Sequence, residues 1–253
     1  MKKFKNFNLI MGCLHLVQGI AMVILYFSID KVANFKPMIY SYFLKFDTTA
    51  MRLVTDVKEL FELPFALFVS AFLFLSAMFH FIIVLRNKKY SKDLEKGINP
   101  LRWYEYSLSS SLMICLIAVL FGVYDIGALI LIFGLNASMN LFGLLMEKIN
   151  QYTKKVDWSA FIYGSIAGIV PWVVVIMYAF GNSNPGDVPK FVYAVFASYF
   201  IFFNLFPINM ILQYKKIGKW KDYLYGEKVY IMLSLVAKTI LAWLVFFGIM
   251  QPV

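Results

Sequence analysis

Seven long apolar runs divide this chain and leave room only for short connections. They cover residues 8–29, 62–85, 101–123, 126–146, 158–180, 190–213 and 229–250, and only "VYDIGA" separates the third run from the fourth. A helix of about 20 apolar residues crosses a bilayer, and it satisfies its own backbone hydrogen bonds there. Since 61% of the 253 residues are hydrophobic, we expect an all-α membrane protein whose single domain, residues 1–253, is a bundle of seven transmembrane helices.

The first run follows the basic residues Lys2, Lys3 and Lys5 and therefore resembles a secretory signal. Its apolar body is about as long as a transmembrane span, and no small-residue cleavage site follows it. We interpret it as the first span, kept in the mature protein.

The basic residues favour one orientation. With the N-terminus inside, most of the 24 Lys and Arg residues fall in the inner segments. The inner set is Lys2, Lys3, Lys5, Arg86, Lys88, Lys89, Lys92, Lys96, Arg102, Lys148, Lys154, Lys155, Lys215, Lys216, Lys219, Lys221 and Lys228, and the outer set is Lys31, Lys36, Lys45, Arg52, Lys58 and Lys190. Cytoplasmic loops are enriched in Lys and Arg, so we expect a cytoplasmic N-terminus, an extracellular C-terminus and a multi-pass location in the plasma membrane.

The net charge of +10 follows from the same distribution. It favours attraction to anionic membrane lipids, and no nucleic-acid partner is expected. The basic loop "RNKKYSKDLEK" is interpreted first as a contact with lipid headgroups and second as a docking site for a cytoplasmic protein.

The long first outer loop, residues 30–59, contains the segment "MIYSYFLKFD", which we interpret as an alternation of aromatic and β-branched residues. Such alternation is typical of a β-hairpin, which we expect to form a lid. The two cysteines, Cys13 and Cys115, fall inside apolar runs and are expected to be free thiols. No metal-ligand spacing, nucleophile elbow or phosphate loop is present, so an enzyme is not expected.

Lys238 is the one basic residue in the middle of an apolar run, between Lys228 and Met250. It is too far from either end for its side chain to reach the headgroups. An ionisable residue at the centre of a membrane favours a functional role, although an ion pair inside the bundle remains an alternative. A buried amine also tends to lose its proton, and a neutral amine condenses with an aldehyde to form a Schiff base.

Glu105, in "NPLRWYEYSLSSSLM", is the only acidic residue that we interpret as intramembrane; the other thirteen fall in loops or at the ends of runs. Pro100 suits the first turn of a helix, so Glu105 lies one to two turns inside the third span. Helical side chains lean toward their own N-terminus, which brings Lys238 toward the side that holds Glu105. The alternative is a carboxylate exposed at the membrane interface.

Two serines share helix faces with this pair: Ser109 lies four residues after Glu105, and Ser234 lies four residues before Lys238. They are candidates for hydrogen bonds to the pair. Small residues are also common where membrane helices pack, so packing alone is the alternative.

These residues resemble those of retinal-binding microbial rhodopsins, which have a mid-span lysine in helix seven and a carboxylate in helix three. Phe203, Phe206, Pro207 and Met210 repeat the spacing with which that family holds a polyene in helix six. Tyr106 stands where the family usually has a pocket tryptophan.

Three differences from the ordinary family are informative. Ser234 replaces an aspartate, Leu116 replaces the second carboxylate of the proton pumps, eleven residues after Glu105, and the expected topology is reversed. Together with "RWYEYSLSSS", "HLVQG" and the long first outer loop, these differences resemble the heliorhodopsins over essentially the whole chain.

The resemblance implies a rhodopsin-like seven-helix fold, with all-trans retinal bound to Lys238 as a protonated Schiff base and Glu105 as its sole counterion. It implies a retinal pocket formed by Tyr106, Met139, Trp172, Phe203, Phe206, Pro207 and Met210, and a polar cytoplasmic-side cavity formed by His15, Gln18, Ser76, His80 and Asn136. His15 and His80 are the only histidines, and both fall within apolar runs. Neutral imidazoles inside a membrane favour a polar network, with ordinary structural hydrogen bonds as the alternative.

The resemblance also implies a photoreceptor with a slow photocycle, no vectorial ion pumping, and signalling to an unknown cytoplasmic partner. A light-driven ion transporter is the main alternative, and a transporter without retinal is a further one. Gly164 and Gly168, in "GSIAG", form a face of small residues that suits either a homodimer or a neighbouring helix. The resemblance favours a homodimer through spans four and five.

Overall fold

The computed structural model describes residues 2–181 and 190–250. Seven helices in this part of the chain are long and apolar enough to cross a membrane. They are α1 (Lys2–Ser28), α3 (Phe65–Leu85), α5 (Pro100–Leu120), α6 (Ile126–Ile149), α7 (Ser159–Phe180), α8 (Lys190–Tyr214) and α9 (Tyr223–Gly248). The shorter elements are α2 (Asp30–Ala33), the strands β1 (Met38–Asp47) and β2 (Arg52–Glu62), α4 (Asn87–Glu95) and a 3₁₀ helix (Gly218–Lys221).

The number and order of the predicted helices are confirmed, since each of the seven apolar runs corresponds to one of these long helices. Even the narrow gap between the third and fourth runs is a true break, since α5 ends at Leu120 and Gly122 adopts a positive φ of 96°. Asp125 then caps α6, because its carboxylate accepts a hydrogen bond of 2.8 Å from the Ala128 amide. At the other end of α5, the Asn99 side chain caps the helix and Pro100 occupies its first turn.

The predicted hairpin is also confirmed. β1 and β2 pair antiparallel, with one register shift between Ile39 and Tyr40. The Asp47 carboxylate closes the turn by accepting hydrogen bonds from the amides of Thr49 (2.8 Å) and Ala50 (3.0 Å). At its base the hairpin is attached to the connection between α5 and α6, where the Tyr40 amide donates to the Tyr124 carbonyl at 2.9 Å.

The spans follow one another around the bundle. α1 packs on α3, α3 on α5, α5 on α6 and α6 on α7, while α8 packs on α9 and α9 returns to α1 and α3. α7 and α8 meet through aromatic rings, including Trp172 with Phe203 (5.5 Å between centroids) and Phe180 with Phe196 (5.4 Å). The connection between α7 and α8, residues 182–189, lies outside the described residues.

Candidate functional site

Lys238 and Glu105 meet in the middle of the bundle, as their positions in α9 and α5 predict. The ammonium forms an ion pair with the carboxylate, and only 5% and 6% of the two residues is exposed. Glu105 lies in the second turn of α5, after Pro100. Loss of one partner of a buried ion pair strongly destabilises the folded protein, because the remaining charge is then buried without a partner. The pair is therefore a tightly held charge centre inside an apolar protein.

Two serines complete the centre. The Ser76 hydroxyl accepts from Lys238 Nζ at 2.8 Å and donates to Glu105 at 2.8 Å, and Ser109 accepts from Nζ at 3.1 Å. Ser109 thus contacts the ion pair as predicted, and Ser76, predicted for the polar cavity, both contacts the ion pair and lines a small polar cavity. Ser234 is buried and borders a small polar cavity next to Glu105, but no hydrogen bond among the described residues joins it to Lys238.

Aromatic rings surround the ammonium. The ring centroids of Tyr106 and Phe72 lie 5.2 and 5.6 Å from Lys238 Nζ, within the range of a cation–π interaction. Tyr106 also donates a hydrogen bond of 3.3 Å to the Tyr230 carbonyl and packs edge-on against Phe206. Phe72, on α3, had no signal in the sequence that distinguishes it from the other phenylalanines of the spans.

A cavity of about 600 Å³ begins at Lys238 and extends between α5, α6, α7, α8 and α9. Its walls are mainly apolar and aromatic, and a pocket of this size suits a small ligand. Every residue predicted for the retinal pocket lines it: Tyr106, Met139, Trp172, Phe203, Phe206, Pro207 and Met210. The sequence did not identify Phe72, Trp103, Met113 and Tyr199, which line it as well.

The residues of this cavity fit retinal, which is a long apolar polyene with one aldehyde. The cavity offers apolar walls along its length and a single primary amine, Lys238. No other lysine borders it, among the residues that the structure describes. The chemistry of the lining therefore matches a hydrocarbon that is attached through an amine.

The two histidines lie together, with ring centroids 5.6 Å apart and the rings stacked. His80 Nδ1 hydrogen bonds to the Asn8 side chain at 2.8 Å, while neither ring nitrogen of His15 has a hydrogen-bond partner within the described residues. An unpaired buried imidazole indicates a site where a water molecule would be bound. Asn8 is a member of this group that the sequence did not identify.

The other two residues predicted for the polar cavity lie elsewhere. Gln18 accepts a hydrogen bond of 3.0 Å from Trp243, which lies beyond Lys238 along α9. Asn136 donates to the hydroxyls of Ser110 (2.8 Å) and Ser111 (2.9 Å), between α5 and α6. Of the predicted group, His80 and Ser76 therefore line one small polar cavity and His15 stacks on His80, whereas Gln18 and Asn136 lie elsewhere.

The small residues of α7 face α6. A β-carbon at Gly168 would lie 3.0 Å from Met139 Cγ, and one at Gly164 would lie 2.9 Å from Phe142 Cβ. Of the two predicted uses of "GSIAG", the structure supports the contact with a neighbouring helix. Gly168 also leaves Met139 the space it occupies beside the cavity.

A second buried ionic cluster was missed by the sequence. Arg102 of α5 pairs with Glu147 of α6 and Glu227 of α9, and these three residues are only 4%, 2% and 1% exposed. Both carboxylates stand near the ends of apolar runs, where acidic residues usually face water. Only the folded structure places Asn99, Tyr90 and Tyr223 over them and thereby excludes water.

A small polar cavity of about 20 Å³ joins the two charged sites. Glu105, Ser76 and Ser234 border it on one side, and Arg102 and Glu227 on the other. His80, Asn8 and Asn99 also line it. A polar cavity of this size holds about one water molecule.

Comparisons with known proteins agree with this architecture. Residues 4–250 match the model of a protein family described as Heliorhodopsin. No curated protein matches the chain.

Proposed function

The chain belongs to the heliorhodopsin family, whose members are retinal-binding, light-sensing rhodopsins, and we propose that it is a photoreceptor in which Lys238 carries all-trans retinal as a protonated Schiff base. The observation that supports this most is the single amine at the end of an apolar cavity, paired there with one buried carboxylate. The family is of the photoreceptor type and is not a classical enzyme family.

Bound retinal would supply visible absorption and a double bond that light isomerises. Lys238 would hold it through a C=N linkage between Nζ and the aldehyde carbon. Glu105 would balance the positive charge of a proton on that nitrogen, as it balances the ammonium. Ser76 and Ser109 would orient that proton, since both hydroxyls hydrogen bond to the same nitrogen.

The aromatic walls hold the polyene and exclude water from the linkage. Phe203 and Phe206 lie on α8, Trp172 lies on α7, and Met139 and Met210 complete the walls. Tyr106 stands beside the charged end of the cavity, where its ring faces the Lys238 nitrogen.

We propose that light moves a proton within the protein and does not pump it across the membrane. Leu116, where pumps have a second carboxylate, lies in the apolar core and is 1% exposed. The buried carboxylates Glu105, Glu147 and Glu227 all lie toward the end of the bundle where α5 and α9 begin. The buried carboxylates among the described residues therefore lie on one side of Lys238, which favours a slow photocycle and signalling through altered helix packing.

Light-driven proton transport remains the second candidate, because the small cavity next to Glu105 leads toward the buried Glu227. Sustained transport requires access to both sides of the membrane. The two candidates share the pigment and differ in whether light changes the pH outside cells.

We further propose that the chain is one multi-pass domain of the plasma membrane, with a cytoplasmic N-terminus, lipid contacts and a homodimer through α6 and α7. Exposed apolar residues of α7, including Ile162, Ile166 and Ile169, form a surface that suits lipid or a second copy. Chemical crosslinking in native membranes tests the dimer.

The decisive experiment is expression with and without all-trans retinal, followed by an absorption spectrum. We expect a visible band only with retinal, its loss in Lys238→Ala, and no sustained light-driven pH change in a cell suspension. Lys228→Ala, at the start of the same helix, is the matched control and should remain coloured. A colourless wild type, or a pigment that survives Lys238→Ala, would refute the retinal linkage, and a sustained pH change would favour transport.

A further inference from the structure

The residues Arg102, Glu147 and Glu227 do not line the large cavity, yet all three are buried, whereas charged residues near the end of a span usually face water. We propose that Glu227 is a proton-binding site, which receives the proton that leaves the Lys238–Glu105 centre after illumination and later returns it. This rests on the proposed photoreceptor function and names the internal proton acceptor.

The charge of the cluster supports an affinity for protons. One guanidinium faces two carboxylates, so the cluster carries a net charge of −1 when both are ionised. The Lys238–Glu105 pair is neutral by itself. An uncompensated negative charge in a region of low dielectric is unfavourable, and one added proton removes it.

The hydrogen bonds distinguish Glu227 from Glu147. Glu147 Oε2 accepts from the backbone amide of Asn99 at 2.9 Å, and its Oε1 pairs with Arg102 and also accepts from the Tyr223 hydroxyl at 3.2 Å. Glu227 Oε2 pairs with Arg102 too. Neither the amide nor the guanidinium is able to accept a proton in return. Of the four oxygens, Glu227 Oε1 is therefore the one bound by neutral side chains alone, the Tyr90 hydroxyl (3.0 Å) and the Asn99 amide (2.7 Å), among the described residues.

Tyr90 is suited to this exchange. Burial, together with the neighbouring Glu227, raises the pKa of its phenol well above the usual value, so the hydroxyl keeps its proton. A hydroxyl is both a donor and an acceptor. The Tyr90 hydroxyl donates to Glu227 while that carboxylate is ionised. After rotation about its C–O bond, the same hydroxyl accepts a hydrogen bond from Glu227 in its protonated form.

The path also favours Glu227. The small cavity touches both Glu105 and Glu227 but not Glu147, and it holds about one water molecule. In the proposed step an O–H bond breaks at Glu105, which has taken the proton from Lys238, and an O–H bond forms at Glu227. The water between them gives one proton and takes another, so no charge leaves the protein.

Titratable or charged groups from five helices face this region and are the alternatives to Glu227 as the group that binds the proton. They are His80 of α3, Tyr90 of α4, Arg102 and Glu105 of α5, Glu147 of α6, and Tyr223 and Tyr230 of α9. His80 is the closest rival, because it lines the same cavity and its ring is able to accept a proton. The test must therefore separate a carboxyl group from an imidazole.

Infrared difference spectra of the pigment, illuminated minus dark, make that separation, since only a protonated carboxyl group gives the C=O stretching band of an acid. We expect such a band to appear in the wild type, to disappear in Glu227→Gln and to change its frequency in Glu227→Asp. Glu147→Asp is the comparison variant, which keeps the charge; because both carboxylates share Arg102, it should move the frequency less than Glu227→Asp does. A band that stays in Glu227→Gln, moves more in Glu147→Asp than in Glu227→Asp, or is absent from the wild type would overturn the proposal.

A second measurement needs no retinal. Acid titration of the retinal-free protein, followed by infrared spectroscopy, should produce a buried acid band that moves more in Glu227→Asp than in Glu147→Asp. Identical titrations of the two variants would overturn the site. A colourless protein with a normal titration would instead refute the retinal linkage and leave the proton site intact, so the two failures are distinguishable.

Discussion

The indole of Trp103 fills the space beside Gly143 that a β-carbon would need, with Trp103 Cε3 only 2.6 Å from the ideal position of that carbon. The same indole lines the large cavity and packs edge-on against Tyr106 at 6.1 Å. Any larger residue in place of Gly143 on α6 would therefore push Trp103 toward the large cavity.

Gly143→Ala should move Trp103, shift the visible absorption band and lower the free energy of unfolding by about 1–3 kcal/mol, the usual effect of an overpacked core. Gly134→Ala is the control on the same helix, because a β-carbon there meets nothing within 4 Å. Absorption spectra and thermal bleaching of the two pigments measure both effects. Equal behaviour of the two variants would contradict the contact.

Removal of the charge of Glu105 should disturb the pigment more than removal of either serine hydroxyl. In Glu105→Gln no carboxylate faces the linkage nitrogen, so we expect a smaller coloured, protonated fraction at neutral pH. Ser76→Ala and Ser109→Ala each remove one neutral hydrogen bond, worth about 0.5–1.5 kcal/mol, and should shift the band slightly.

Spectra of the three variants at one pH test this ranking. Glu95→Gln, at the end of α4 and exposed, removes a carboxylate far from the centre and should leave the spectrum unchanged. A stronger effect of Ser76→Ala than of Glu105→Gln would mean that the hydroxyl carries the interaction.

The sequence predicted the spans and the Lys238–Glu105 pair because both follow from local rules. Apolar length determines the spans, and a lone charge inside a span requires a partner. The contact of Ser76 with this pair was not predicted, since the rotation of α3 about its axis depends on packing against α1 and α5. Asn136 was assigned to the histidines for the same reason, although α6 turns it toward Ser110.

The Arg102 cluster shows a different limit. Glu147 and Glu227 stand where a span ends, and there the sequence does not separate a carboxylate in water from one covered by protein. The cover comes from Tyr90 in α4 and from Asn99, which lie far from Glu227 along the chain. Contacts between such distant residues are not contained in any local pattern.

The turn of the hairpin should depend on pH. Hydrogen bonds from the amides of Ala50 and Thr49 lower the pKa of Asp47 below its usual value. A carboxyl group with a lowered pKa stabilises the fold above its ordinary pKa, and this contribution is lost as the pH falls through the lowered value. Hydrogen exchange at Thr49 and Ala50, corrected for its intrinsic pH dependence, should therefore increase in acid.

Asp47→Ala should show the faster exchange already at neutral pH and should lose the dependence on acid. Asp56→Ala removes an exposed carboxylate from β2 of the same hairpin and is the control. Acid-independent exchange in the wild type would refute the role of Asp47.

We predict the orientation of the bundle from the charge at its two ends. α4 and the 3₁₀ helix Gly218–Lys221 lie at one end, as the contact of Tyr90 with Glu227 requires, and the hairpin precedes α3 at the opposite end. The α4 end carries Lys88, Lys89 and Lys92, and positive charge of this kind stays in the cytoplasm. We therefore expect Lys92 inside and Lys45 of the hairpin outside.

Single cysteines at these two positions test the orientation. They are introduced into a variant that carries Cys13→Ser and Cys115→Ser and therefore has no cysteine of its own. Lys92→Cys and Lys45→Cys form a matched pair, since both side chains are exposed and each change removes one positive charge. A thiol reagent that does not cross membranes should label Lys45→Cys in intact cells and Lys92→Cys only after lysis. The reverse pattern would place the N-terminus outside, and the buried carboxylates would then lie on the extracellular side of the chromophore.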